Sequence, residues 1–148
     1  SMADLDLTDP RIFPVWSETT VRYADLDPNN HVNNGAIGAY FEDGRVRLRT
    51  QILDQSDGST LAGFAIVKTT IEYRRALGFP ATVRIGSTVA RIGSSSYTLG
   101  QSVFLGEQCI ATAEIVTVRI NPDTGQPTAL EPHVRCALER VAPLALDN

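Results

Sequence analysis

The sequence predicts an α+β domain in which one long helix packs on an antiparallel sheet of about five strands. An early strand-like segment is followed by a single stretch with helical periodicity. Four further strand-like segments then succeed one another across short breaks, which favours antiparallel pairing of neighbours. A chain of 148 residues is long enough to bury one such core without disulfides or metal.

The N-terminal part divides into an arm and a first strand. Residues 1–12 are polar and are expected to form a loose arm that begins with a tag remnant, Ser1-Met2, ahead of a single domain over 13–148. The stretch from Phe13 to Tyr23 is rich in β-branched and aromatic residues and is predicted to be a strand. The two-residue period places four of its residues on one side: Val15, Thr19, Val21 and Tyr23.

The helix is predicted from one face with helical spacing. Residues at i, i+3, i+4, i+7 and i+11 form that face: Ile37, Tyr40, Phe41, Gly44 and Leu48. Asn33 or Asn34 can cap its start. A basic cluster toward its end suits the helix dipole: Arg45, Arg47 and Arg49. Three glycines, each costing about 0.8–1 kcal/mol in a helix interior, predict close approach by a neighbouring backbone: Gly35, Gly38 and Gly44.

The remainder of the chain is predicted to be a meander of strands. A polar loop covers residues 54–60. The strand-like segments are 63–75, 80–92, 95–106 and 108–120. The breaks at 93–94 and 106–107 are short enough for hairpins. Residues 129–141 can form a short final helix with three residues at helical spacing: Leu130, Val134 and Leu138.

Composition narrows the function classes. The net charge of -4 argues against nucleic acid as the main partner, because phosphate binding needs a basic surface. Cys109 and Cys136 are predicted to be free thiols in a cytoplasmic protein. No apolar run approaches the ~18 residues of a membrane span, so no membrane partner is expected. His31 and His133 lie far apart with no Cys/His cluster, so neither a metal nor another cofactor is expected.

The chemically informative segment is 22–34, which joins the first strand to the helix start. It contains two aspartates, four asparagines and one of the two histidines in the chain. A helix N-terminus offers unpaired N–H groups that can bind an anion or polarise a carbonyl oxygen. An aspartate beside it can act as a nucleophile or as a general base, which suits acyl transfer or hydrolysis. The same residue types also serve as caps and turns, so the pattern by itself leaves a structural role open.

The motif R-x-x-D-x-D-x-x-x-H-V-N-N over 22–34 is followed by an aromatic pair and E-x-x-R, formed by Tyr40, Phe41, Glu42 and Arg45. This pattern resembles the hotdog-fold thioesterases, namely the 4-hydroxybenzoyl-CoA thioesterase-like group and the acyl carrier protein (acyl-ACP) thioesterases. The similarity runs from about Phe13 to Ile120. It implies a single hotdog domain, with a central helix wrapped by the sheet. It also implies an acyl-CoA thioesterase that hydrolyses a fatty or aromatic thioester to free acid and thiol.

The resemblance also implies roles for residues of this segment. Asp27 would be the catalytic carboxylate, as general base or nucleophile. Asn29 and His31 would orient that carboxylate, the water or the thioester. The remaining residues implied for substrate binding surround the helix start, where backbone N–H groups would hold the carbonyl oxygen: Asn33, Asn34 and Gly35.

A second similarity lies at residues 71–75. The run I-E-Y-R-R resembles an L-E-Y-R-R stretch of the acyl-ACP enzymes, in which the glutamate has a catalytic part; it falls here on Glu72. A strand glutamate between Lys68 and Arg74 can equally serve as an ion-pair partner. Candidates for binding the phosphates of CoA are Arg74, Arg75, Arg84 and Arg91, with exposed strand charges as the alternative interpretation.

The resemblance also bears on assembly and on competing activities. The plant acyl-ACP enzymes are two fused hotdog units, whereas this chain has one, which implies a homodimer or homotetramer with the site across the interface. Asn30 replaces a glycine that many bacterial relatives carry, which affects the loop geometry. The alternatives are an acyl-ACP thioesterase, a hotdog enoyl-CoA hydratase and a non-catalytic acyl-CoA binding module. The hydratase pattern D-x-N-P-x-H differs here, because His31 follows Asp27 by four residues and no proline precedes it.

Overall fold

The structure, a computed structural model, describes residues 5–53 and 63–147. Its strands are β1 (Val15–Thr20), β2 (Phe64–Tyr73), β3 (Thr82–Ile92), β4 (Ser96–Leu105) and β5 (Gln108–Arg119). Its helices are α1 (Asn34–Ile52), between β1 and β2, and α2 (Pro132–Glu139), after β5. The predicted tag remnant and the predicted loop at 54–60 lie outside the described residues. None of the described helices has the length and apolar character needed to cross a membrane.

The five strands form one antiparallel sheet in the order β1-β3-β4-β5-β2. The predicted hairpins between β3 and β4 and between β4 and β5 are confirmed. The first strand is shorter than predicted, because the chain turns away from the sheet after Thr20. The prediction that Tyr23 belongs to this strand and shares one side of it with Val15 is wrong: Tyr23 begins a short 3-10 turn and is 75 % exposed.

Helix α1 lies across the inner face of the sheet. All five residues of its predicted apolar face are buried, and they pack against alternate residues of the central strands, among them Ile85, Leu99 and Ile115. A close approach occurs at Gly44, where a Cβ atom would come within 2.7 Å of the Ile85 Cγ2 atom, although the neighbour is a side chain and not the backbone that was predicted. It does not occur at Gly38, where a Cβ atom would meet nothing within 4 Å. Gly44 therefore sets how closely the helix approaches the sheet.

We expect Gly44→Ala and Gly38→Ala to shift stability in opposite directions. The added methyl group at Gly44 overpacks the contact with Ile85, which should lower the free energy of unfolding by about 1–3 kcal/mol. At Gly38 the methyl group meets open space, and replacing a helical glycine should raise that free energy by about 0.5–1 kcal/mol. Urea unfolding of both variants measures the difference. Equal shifts in the two variants would contradict this account of the helix–sheet contact.

The described part of the N-terminal arm packs on the outer face of the sheet, in contrast to the loose arm that its polar composition predicts. A second apolar cluster forms there from Ile12, Phe13, Phe104 and Cys109, with Leu5, Leu7 and Trp16 against it. The Ser102 hydroxyl donates a hydrogen bond to the Leu7 carbonyl oxygen. The sheet is thus covered on one face by α1 and on the other by residues 5–13.

Candidate active site

The segment that joins β1 to α1 folds back on itself between residues 25 and 33. The Asn33 N–H donates to the Asp25 carbonyl oxygen (2.9 Å), and Leu26 and Val32 form an antiparallel bridge one step further into the loop. Since α1 starts at the residue after Asn33, this closure fixes the loop directly against the helix start.

Asp27 lies near the tip of this loop. Its N–H donates to the His31 carbonyl oxygen (2.8 Å), and its own carbonyl oxygen accepts from the Asn30 N–H (2.9 Å), which forms a tight turn. Pro28 follows Asp27 at the position where such turns favour proline. Asn30 has a φ of 64°, in the left-handed region that suits glycine and that asparagine tolerates. The replacement of glycine by Asn30 is therefore compatible with the geometry of this loop.

The carboxylate of Asp27 is held by one oxygen only. Its Oδ1 atom accepts from the N–H groups of Asn29 (2.9 Å) and His31 (3.2 Å). Over residues 5–53 and 63–147, none donates a hydrogen bond to its Oδ2 atom. Asn29 and His31 thus contact the carboxylate through main-chain amides, while both residues are exposed. Asp27 itself is half-buried, which leaves one anchored oxygen and one available oxygen.

The start of α1 provides unpaired donors beside this carboxylate. Of the two predicted caps, Asn33 is the one used: its Oδ1 atom accepts from the Ala36 N–H (2.7 Å), and its Nδ2 atom donates to the Asp25 carbonyl oxygen (3.0 Å). The amide of Asn33 is therefore committed to the cap. The N–H groups of Asn34 and Gly35 find no acceptor within the described part of the chain, so they remain available at the positive end of the helix dipole.

A cavity of about 290 Å³ brings several of the predicted site residues together. Its lining is Asp27, His31, Val32, Asn34, Ile37, Tyr73, Arg74, Arg75, Ala76 and Leu77. Five of the nine predicted site residues thus line one cavity. The other four do not line it: Asn29, Asn33, Gly35 and Glu72.

Glu72 is separated from Asp27 by the sheet. Ile71 packs toward the inner core beneath α1, so the strand alternation directs Glu72 to the outer face. There it lines a larger cavity of about 530 Å³ that also contains Thr8 of the N-terminal arm. Its carboxylate lies 3.5 Å from the Arg74 Nη1 atom, which is the ion-pair alternative of the sequence analysis, with Arg74 rather than Lys68 as the partner.

A buried pair under the loop was not identified from the sequence. The Tyr40 hydroxyl donates to Asp25 Oδ2 at 2.6 Å, and the Arg22 N–H donates to the same atom at 3.0 Å. The Arg22 guanidinium contacts the other carboxylate oxygen. Asp25 is only 4 % exposed. The Asp25–Tyr40 pair therefore connects the loop that carries Asp27 to the second turn of α1.

The protonation of this pair follows from its contacts. Burial by itself would raise the pKa of Asp25, but the hydrogen bonds from Tyr40 and Arg22 and the charge of Arg22 outweigh it and lower that pKa below its ordinary value. Burial and the adjacent Asp25 carboxylate raise the pKa of the Tyr40 hydroxyl. Asp25 is thus a structural anion, whereas Asp27 presents an oxygen to the cavity.

This arrangement suits attack on a carbonyl carbon. Asp27 can remove a proton from water or attack directly, and Asn34, whose N–H group can hold a developing oxyanion, lines the same cavity. Within the described residues, no group of three or more His, Cys, Asp and Glu side chains could hold a metal ion.

Comparisons with known proteins identify the family. A profile of the thioesterase-like superfamily matches residues 21–138. A thioesterase from Thermus thermophilus, solved with coenzyme A and zinc, is 27% identical with a TM-score of 0.79, and the alignment covers 87% of this chain and 94% of that chain. YbaW, a probable thioesterase from Escherichia coli, is 28% identical with a TM-score of 0.75, covering 86% and 98% of the two chains.

A DHNA-CoA thioesterase from Staphylococcus aureus shares the fold at 19% identity and a TM-score of 0.74, with coverage of 85% of this chain and 89% of that chain. No curated protein sequence matches the chain. The family match spans most of the domain, including the β1–α1 loop and most of the sheet, and it agrees with the helix-on-sheet architecture. The chain therefore belongs to the thioesterase-like superfamily and is a hotdog-fold thioester hydrolase.

Proposed function

We propose that this protein is an acyl-CoA thioesterase that acts at the Asp27 cavity. The observation that carries the proposal is that an available carboxylate oxygen, Asp27 Oδ2, and Asn34, whose N–H group has no acceptor in the described part of the chain, belong to residues that line one cavity. The similar thioesterase from Thermus thermophilus was solved with coenzyme A, which supports CoA as the thiol part of the substrate.

The proposed reaction is hydrolysis of the thioester bond. With Asp27 as general base, water gives a proton to Oδ2 and its oxygen attacks the carbonyl carbon. The N–H groups of Asn34 and Gly35 stabilise the oxyanion that forms, and collapse of the intermediate breaks the C–S bond. The departing thiolate takes up the proton, which gives a carboxylic acid and free thiol. With Asp27 as nucleophile, its attack breaks the C–S bond, expels the thiolate and leaves an acyl-enzyme anhydride. Water then cleaves the anhydride to the carboxylic acid and the Asp27 carboxylate, and the proton released goes to the thiolate.

We propose that Arg74 and Arg75 bind phosphate groups of CoA. Both line the Asp27 cavity and the larger outer cavity, so they lie on the ridge between the two. Guanidinium groups suit phosphate because they present several N–H donors in a fixed fork. We assign Glu72 a positioning role, since its ion pair holds Arg74 from the outer face.

We further propose that the protein acts as a homodimer or homotetramer in the cytoplasm. Strand β2 is a sheet edge with exposed apolar residues: Ile66, Val67 and Tyr73. An edge strand leaves N–H and C=O groups unpaired, and a second copy can pair with them. Both cysteines are free thiols, as a reducing compartment would leave them. Light scattering in solution should give at least twice the chain mass, and a monomer would contradict the proposed assembly.

The activity is tested by free-thiol release from acyl-CoAs with short, medium, long and aromatic acyl groups. We expect turnover of at least one member, and the preferred member identifies the acyl class. Thiol release from acyl-ACP but from no acyl-CoA would mean that the substrate carries its acyl group on a carrier protein and not on CoA. Hydration of an enoyl-CoA without thiol release would mean that the protein is a hydratase and not a thioesterase. Tight acyl-CoA binding without any reaction would indicate a binding module.

A further inference from the structure

Two aromatic side chains are exposed on chain segments that continue into the candidate active site. Tyr23 is 75 % exposed and Phe79 is 45 % exposed. Their ring centroids are 5.8 Å apart with an interplanar angle of 64°, an edge-to-face pair. In that geometry one ring directs its edge at the face of the other, so ring faces remain open to solvent.

The backbone on both sides of this aromatic pair is fixed. The Leu26 N–H donates to the Tyr23 carbonyl oxygen (3.2 Å), which closes the short 3-10 turn. Phe79 lies between two backbone hydrogen bonds, from Val32 N–H to Leu77 O (2.8 Å) and from Val21 N–H to Ala81 O (2.9 Å). The backbone that carries the two rings is therefore held in place while the rings stay exposed, which differs from the usual role of large aromatic residues in a core.

The same segments line the Asp27 cavity. Tyr23 begins the turn that leads to Asp27, and Leu77 is a lining residue two positions before Phe79. The cavity volume of about 290 Å³ lies at the lower end for sites that enclose drug-sized ligands. Such a cavity cannot enclose an acyl group, a pantetheine arm and a nucleotide together. Under the proposed function, the nucleotide of the substrate must therefore lie on the surface outside.

The charges near the pair suit a phosphorylated nucleotide. Arg22 precedes Tyr23 and its side chain is 78% exposed, although its Nε and Nη2 groups both donate to Asp25 Oδ1. Arg74 and Arg75 line the Asp27 cavity, and they precede Phe79 by five and four positions in the chain. Aromatic faces stack on bases, and guanidinium groups bind phosphates. We propose that Tyr23 and Phe79 form a stacking platform for the adenine ring of the CoA thioester, an inference that rests on the proposed thioesterase function.

The platform is tested with two substrates that share one acyl group, an acyl-CoA and the corresponding acyl-pantetheine, which lacks the nucleotide. The double variant Tyr23→Ala/Phe79→Ala should raise KM for acyl-CoA about tenfold, the loss of one base–aromatic stack. Its kcat and its kinetics on acyl-pantetheine should stay unchanged. Tyr23→Phe keeps the ring and should behave as wild type. Leu146→Ala, which removes an exposed apolar side chain elsewhere, is the matched control.

An equal rise in KM for acyl-CoA and acyl-pantetheine, or no rise for either substrate, would overturn the proposed platform. A rise in KM that is confined to acyl-ACP would overturn the platform and would indicate a protein-docking surface. If the double variant does not fold, Phe79→Ala alone is measured against the same pair of substrates. If wild type cleaves no thioester, the proposed function fails. The platform is then tested separately by calorimetry, which measures the binding of adenosine 3′,5′-bisphosphate. Binding by wild type that the double variant loses supports it, and absence of binding by wild type overturns it.

Discussion

Asp27→Asn should lower kcat by at least about a hundredfold while leaving the fold intact. Asparagine keeps an Oδ1 atom for the N–H groups of Asn29 and His31, so the turn is preserved. Its amide nitrogen replaces the available Oδ2 atom and can neither accept a proton from water nor attack a carbonyl carbon. General-base catalysis typically contributes about 10²–10⁴ in rate, which sets the expected loss. Thiol release from the preferred acyl-CoA measures it.

The matched control is Asp123→Asn, the same chemical change in an exposed turn between β5 and α2. It should leave kcat and KM unchanged. If the kcat of Asp27→Asn lay within twofold of the wild-type value, Asp27 would not be the catalytic carboxylate. A burst of thiol release in the wild type, followed by slower turnover, would favour Asp27 as nucleophile, because an acyl-enzyme then accumulates. A linear course is expected for general-base catalysis.

The helix and its start could be predicted because their signals are local. The apolar face of α1 follows helical spacing, and an asparagine before it is a common cap. The turn that carries Asp27 likewise has its signal within the sequence, in Pro28 and in the left-handed position of Asn30. Each of these features depends on residues a few positions apart. The structure differs from the sequence analysis mainly where distant segments meet.

The position of Glu72 outside the Asp27 cavity follows from a local pattern in the sequence. The two-residue period of β2 directs Ile71 to the core and Glu72 to the other face. A role beside Asp27 was expected only from the resemblance of residues 71–75 to the acyl-ACP enzymes. Strand alternation already separates Glu72 from the inner face, and only the tertiary structure shows that the N-terminal arm lies on that outer side.

The Asp25–Tyr40 pair could not be predicted, because no local pattern in the sequence identifies the partner of Tyr40. A buried tyrosine hydroxyl requires a hydrogen-bond partner, so a partner for Tyr40 could be expected from its place on the apolar face. Which residue it is depends on how the β1–α1 loop folds back over the helix, fifteen positions away along the chain. That path is fixed by tertiary closure between Asp25 and Asn33 rather than by any local periodicity.

Asp25→Asn should destabilise the protein and slow catalysis together. The substitution places an N–H₂ group among donors from Tyr40 and Arg22, so hydrogen bonds to a buried charge are lost. Bonds of that kind are worth about 1.5–3 kcal/mol each, and we expect a loss of about 2–4 kcal/mol in the free energy of unfolding. Because the Asp27 loop is anchored here, kcat should fall about tenfold with a smaller change in KM. Urea unfolding and steady-state kinetics give the two values.

Asp9→Asn is the matched control, since Asp9 also caps a 3-10 turn and pairs with a nearby arginine, but at the surface. Its effect on unfolding should be much smaller, and kcat should not change. Tyr40→Phe removes only the hydroxyl and should have an intermediate effect on stability. If Asp25→Asn lowered stability but left kcat at the wild-type value, Asp25 would be a structural residue without influence on the position of Asp27.

The low pKa of Asp25 adds a dependence on pH with a definite sign. A carboxylate whose pKa is depressed in the folded state binds fewer protons there than in the unfolded state, so it stabilises the fold above the unfolded pKa of about 4. That contribution is lost as the pH falls through the folded pKa. The difference in unfolding free energy between wild type and Asp25→Asn should therefore be constant above pH ~5 and shrink as the pH falls below ~4. A difference that stayed constant down to the acid limit of folding would mean that the buried charge of Asp25 does not hold the loop on α1.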